Sequence, residues 1–124
     1  MNRLLAFAAI IEAATGVALM AMPAAVVRLL LGGELTGASI PLGRVAGVAL
    51  LSLGISCWPG GNSLGNTAPA RRAMLTYNAL VALYLFCLGI RGESVGLLLW
   101  PAVLMHSILS LLLARQWRVG NVGQ

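Results

Sequence analysis

The sequence predicts an all-α membrane protein, a bundle of four transmembrane helices forming one domain over residues 1–124. Composition is the first reason. Hydrophobic residues make up 60% of the chain and charged residues 9%, whereas a soluble domain needs about 25% charged residues to face water. The second reason is patterning. Four apolar runs, each about 20 residues long, match the roughly 30 Å hydrocarbon core at helical rise. Barrel strands alternate polar and apolar residues; these runs do not, so helices are left as the spanning structure.

The first helix is expected over residues 4–22. Glu12 interrupts its apolar stretch and no clean small-x-small cleavage site follows, so the run reads as a retained helix rather than a signal peptide. Pro23 ends it. Residues 24–31 are apolar around Arg28. They form either a short helix on the membrane surface or an extension of helix one past a kink; Gly32-Gly33 favours the surface helix. The second helix is expected over 40–58, with Pro41 near its first turn and Trp58-Pro59 closing it. Residues 61–69 are polar and turn-rich, a hydrated loop. The third helix is expected over 72–90, with Thr67 as a cap and Pro69 in the first turn. The tight link Arg91-Gly92-Glu93-Ser94 makes helices three and four antiparallel neighbours. The fourth is expected over 95–114, kinked at Pro101.

The net charge is +5, and the eight basic residues are all arginine. They sit at the ends of the apolar runs, as topology determinants and anionic-lipid contacts do. Nucleic-acid binding needs a basic patch on a soluble face, which this spacing does not supply. With the N-terminus inside, Arg3, Arg71, Arg72, Arg115 and Arg118 are cytoplasmic. Arg28 and Arg91 lie opposite, with Arg44 just within helix two. Both termini are therefore expected in the cytoplasm, with Trp58 and Trp117 at that interface and Trp100 towards the other. Cys57 and Cys87 are about 20 Å apart along the bundle axis. A disulfide requires Cα atoms within about 7 Å, so both cysteines are expected to be packing residues.

Polar residues inside the hydrocarbon carry the functional question. Counted from the non-cytoplasmic end, Glu12 lies about 15 Å deep, His106 about 16 Å, and Asn78 and Ser52 about 18 Å, with Tyr77 slightly deeper. One polar layer near the midplane is expected, fed by all four helices. Arg44 enters about 6 Å, and its long side chain can extend towards Glu12. A glutamate and a histidine in a dry bundle can carry protons, hold a cation, or hydrogen-bond the head of a quinone or lipid. The alternative is glue: hydrogen bonds between membrane helices contribute about 0.6 kcal/mol each on average. That alternative weighs most for Asn78, Ser52 and Tyr77. Gly43 and Gly47 make a small-xxx-small pair extended by Gly54, a helix-packing face for internal contact or for a dimer.

Several chemistries have no motif here: no Walker loop, no H-E-x-x-H, no cysteine–histidine zinc spacing and no nucleophile elbow. With one histidine per chain, bis-histidine haem ligation would need a second chain. No catalytic residue, metal ligand or cofactor is assigned.

The order Glu12, Pro23, Gly43-Arg44, Trp58, Tyr77-Asn78, Trp100-Pro101, His106 resembles a group of short bacterial four-helix inner-membrane proteins over nearly the whole chain. That resemblance supports the fold and the polar layer, and implies no activity. The segment Ile11-Glu12-Ala13-Ala14-Thr15-Gly16 is also similar to the first helix of the small multidrug resistance transporters. Their third-helix tryptophan has no counterpart in 72–90, where Tyr77, Tyr84 and Phe86 are the aromatics.

The reading that unites these features is a small inner-membrane binding or transport protein with a midplane site, proton-coupled through Glu12. His106 would be the proton partner and Arg44 a counter-charge. Four helices enclose little volume, which favours a homo-oligomer. A second reading is an accessory or assembly subunit of a larger membrane complex. A third is a membrane enzyme acting on a lipid or quinone, which lacks a recognisable nucleophile or redox centre.

Overall fold

The computed structural model describes residues 3–59 and 67–122. Most of the expected loop at 61–69 lies outside the described residues. Five helices follow in order: α1 Arg3–Ala21, α2 Pro23–Leu31, α3 Ser39–Ser56, α4 Ala68–Arg91 and α5 Leu99–Val122. Among them α1, α3, α4 and the Leu99–Val119 part of α5 are long and apolar enough to cross a membrane.

The boundaries follow from proline and glycine. Met22 leaves helical geometry at φ −137° and ψ 63°, so α1 stops and Pro23 starts a separate short helix. Proline suits that first turn because its missing N–H would have had no helical partner. Gly32 closes α2 at φ 71°, its N–H donating to the Arg28 carbonyl at 2.9 Å. Gly92 ends α4 in the same left-handed conformation. Helix α4 starts at Ala68, earlier than the expected residue 72, because Pro69 already belongs to the first turn. Thr67 holds the N-cap position but makes no side-chain capping bond; its carbonyl accepts from the Arg71 N–H at 2.9 Å.

The fourth span departs from expectation at both ends. Helix α5 begins at Leu99, not 95, and runs on to Val122. Its expected first residues are diverted to α2: the Gly96 N–H donates to the Leu30 carbonyl at 3.1 Å, and the Leu98 N–H to the Leu29 carbonyl at 2.8 Å. A Cβ on Gly96 would strike the Leu29 carbonyl. This later start puts Pro101 in the first turn of α5, where no helical N–H is missed. The expectation of a mid-helix kink at Pro101 is corrected accordingly.

Most long-range packing lies within two helix pairs, α1 with α3 and α4 with α5; α1 then meets α4 and α5 across a lighter seam. In the first pair the backbones touch. A Cβ on Gly54 would come within 2.6 Å of the Ala9 carbonyl oxygen, one on Gly47 within 2.7 Å of the Gly16 oxygen, and one on Gly16 within 2.6 Å of the Leu51 nitrogen. These contacts run antiparallel. Gly43 sits instead against the Pro23 side chain, 3.1 Å from a built Cβ. In the second pair Gly89 admits the Trp100 ring, which also meets Phe86 edge-on with centroids 6.2 Å apart.

Leu5, Ala8, Ala9, Cys57, Met74, Leu109 and Leu113 form the core where the pairs meet. Outside it, large apolar side chains such as Leu42, Val45, Leu97 and Leu111 stand exposed. Such a surface suits lipid rather than water. Both cysteines are free, with Cys57 buried and its thiol 3.6 Å from the Ala70 carbonyl.

Candidate functional site

Helical periodicity selects which polar groups turn inward. On α1, Glu12 continues the buried stripe of Leu5 and Ala8, residues three and four apart lying on one face. On α4, Asn78 lies on the stripe Met74, Asn78, Ala82, Leu85. On α5, His106 shares its inward side with Leu109 and Leu113. Tyr77 reaches the same point from the flank of α4. Glu12 is 1% exposed, Asn78 0% and His106 7%, so all three are withdrawn from the surface.

Their contacts define the cluster. The Asn78 amide nitrogen donates to the Met74 carbonyl at 2.9 Å, which leaves its oxygen as the acceptor for the neighbouring ring. His106 Nδ1 lies 2.7 Å from that oxygen, so Nδ1 carries the proton and donates. The same Nδ1 is 4.0 Å from Glu12 Oε1. The Tyr77 hydroxyl hydrogen-bonds the Glu12 carboxyl, and its ring meets the His106 ring edge-on at 6.0 Å. Glu12 Oε1 has no hydrogen-bond partner among the described residues. The Ser110 hydroxyl is occupied by the His106 carbonyl on its own helix at 2.7 Å.

The arrangement is a carboxyl group with one satisfied and one unsatisfied oxygen, facing an imidazole. It admits two charge distributions: a carboxylate beside an imidazolium, or a neutral acid beside a neutral ring. In a low-dielectric interior the balance between them responds strongly to any third charge or dipole that enters.

Two expected members lie elsewhere. Ser52 is exposed and its hydroxyl donates to the Val48 carbonyl one turn back at 2.8 Å. Three helices therefore supply the layer, not four. Arg44 is also exposed. Gly47 lies level with Gly16 and Met20 of α1, which places Arg44, three residues earlier on the antiparallel helix, about 14 Å along the bundle from Glu12 at helical rise. Distance and direction together remove it as a counter-charge to Glu12. Gly47 and Gly54 are occupied by α1, and the packing role of Gly16, which meets Gly47, went unnoticed in the sequence.

Among the grooves on the surface of the described residues, two bear on the site and its surroundings. The larger, about 560 Å³, lies along α1 and α3 between Ile10, Ala14, Val17, Ile55 and Trp58, and touches none of the polar cluster. The smaller, about 410 Å³, lies between α4 and α5 at the end bearing Arg72 and Arg118. The sequence marked both arginines as topology determinants and anionic-lipid contacts, without bringing them to one groove. Compared with known proteins, the chain matches no family model, no curated protein and no solved structure.

Proposed function

We propose that this multi-pass membrane chain belongs to the binding or transport class, with Glu12 as the proton-exchanging group of a mid-bundle site. Tyr77 and His106 are its polar partners, and Asn78 fixes the His106 ring. The observation that carries this reading is the fully buried Glu12 carboxyl, whose free oxygen faces His106 at 4.0 Å. A mid-membrane carboxyl is costly to keep for packing alone. Its position in the lighter seam between two helix pairs adds a mechanism. Changing the charge of Glu12 alters the attraction between the pairs, so proton exchange and opening of the seam are coupled.

Infrared difference spectra of the purified protein, recorded while pH is stepped across the neutral range, test the proton role. The wild type is expected to show a carboxylic-acid carbonyl band that comes and goes with pH, absent in Glu12→Gln. A spectrum unchanged by that substitution would sink the proposal. Native mass spectrometry from mild detergent addresses the oligomer, with a dimer expected from the small volume four helices enclose. The resemblance to short bacterial four-helix proteins implies the inner membrane, and the arginine bias supports both termini in the cytoplasm; a C-terminal green fluorescent fusion should then fluoresce.

A second reading keeps one specific support. Asn78 and His106 satisfy each other at 2.7 Å, as structural glue would in an accessory subunit of a larger complex. The glycine face once available to such a partner is covered by α1, so docking would use another surface. A stoichiometric foreign subunit in the native spectrum would favour this reading.

A further inference from the structure

We propose that the groove between the first turns of α4 and the last turns of α5 binds the headgroup of an anionic phospholipid. Arg72 and Arg118 would hold its phosphate. The groove is lined by Arg72, Leu75, Thr76, Ala114, Trp117 and Arg118. These residues sort by polarity along the helix axes. Arg72 and Arg118 lie nearest the helix ends. Leu75 and Ala114 lie one turn further in, where an acyl chain would begin. Thr76 adds a hydroxyl on the same wall. The two helices are long and apolar enough to cross a membrane, so such a gradient falls where a bilayer's headgroups meet its hydrocarbon.

The cationic part of the groove is preorganised. The Arg72 guanidinium carbon lies 4.7 Å from the centre of the Trp117 ring. Stacking on the ring restrains a long side chain while leaving its N–H groups available, and guanidinium matches phosphate oxygens in pairs. Tryptophan itself favours the headgroup level of a membrane. The charge around the groove is one-sided. The chain has three acidic residues: Glu12 lies mid-bundle, and Glu34 and Glu93 lie in the connections at the opposite end. Arg3, Arg71 and Arg115 join the groove pair at this end, and no acidic side chain opposes them. A free phosphate would use the arginines but not the apolar wall below them, which is why the lipid is the occupant.

The test uses the full chain in mild detergent, titrated with phosphatidylglycerol, phosphatidylcholine or inorganic phosphate, with retained lipid counted by native mass spectrometry. The wild type should retain phosphatidylglycerol in preference to phosphatidylcholine. The double variant Arg72→Gln/Arg118→Gln should lose about thirtyfold in that preference, from the usual contribution of basic residues near an anionic surface. A matched double variant outside the groove, Arg3→Gln/Arg115→Gln, should keep most of it. Equal loss in both double variants would mean diffuse attraction and would overturn the site. So would equal retention of the two lipids by the wild type, or inorganic phosphate displacing the bound lipid at matched concentration. If the groove double variant does not fold, the exposed Arg118→Gln alone carries the same comparison, and an unchanged preference there would overturn the proposal.

Discussion

Helix α1 is held on two sides by opposite means. Towards α3 it offers Ala9, Ala13 and Gly16, and the two backbones meet with no room for a side chain at Gly47 or Gly54. Towards α4 and α5 it offers Glu12 to a group of polar side chains. The first seam draws on dispersion and close fit, which work in lipid because no hydrophobic effect drives helices together there. The second is lighter in packing: Leu5 and Ala8 add apolar contact there, and Glu12 adds a hydrogen bond to Tyr77 whose strength varies with protonation. One face of α1 is thus locked and the adjoining face is conditional.

Overpacking the locked seam should produce the largest effect. Gly54→Leu or Gly47→Leu places carbon atoms where backbone already lies, and is expected to cost about 3 kcal/mol or more. Denaturant titration in mixed micelles would show it, and a loss below about 1 kcal/mol would mean that the backbones do not meet. Beside the conditional seam, within the α4–α5 pair, His106→Leu removes the donor to Asn78 and leaves a buried acceptor unpaired, costing about 1–2 kcal/mol. Adding Asn78→Leu should recover part of that loss, since neither partner is then orphaned. Full additivity of the two losses would show that the pair is not coupled.

Glu12→Gln sharpens the contrast from the other direction. The amide keeps size and hydrogen bonds, so stability should move by less than about 1 kcal/mol while the pH-dependent carboxyl band disappears. A Glu12→Gln protein that unfolds would mean the charge is structural. The smallest effect belongs to Ser52→Ala. Its hydroxyl is spent on its own helix and its surface is exposed, so a change within about 0.5 kcal/mol is expected. A larger loss would return Ser52 to the polar layer.

The spans were legible because a run of about twenty apolar residues has few other uses. Their ends were less so. The start of α5 depends on Gly96 and Leu98 pairing with Leu29 and Leu30, a contact between distant stretches that leaves no local signal. Counting depth brought Glu12, Asn78 and His106 to one level, and Tyr77 close to it, but depth says nothing of direction around the helix. Ser52 shows the cost. It lies five residues past Gly47, which turns it by about 140° at the helical repeat and away from the face that α1 covers. That angle was available from the sequence once the glycine face was chosen. Arg44 was misplaced for a different reason: its assigned reach towards Glu12 assumed a direction that only the packing of Gly43 on Pro23 reveals. Gly16 was overlooked because a single glycine in an apolar helix is unremarkable until its partner on α3 is known.

The position of Glu12 has a consequence for how the chain is made. Synthesis delivers α1 and α3 before α4 and α5, and early segments begin folding first. The glycine seam needs only α1 and α3, so it can close while the second pair is still on the ribosome. Glu12 then has no Tyr77 and no His106, and the last carbonyls of α2 have no Gly96 or Leu98. A half-made chain therefore presents an unpaired carboxyl inside the lipid and open backbone groups at the end of α2. Arrival of the second pair satisfies both at once, so one late event completes the polar interior and the α2 end together.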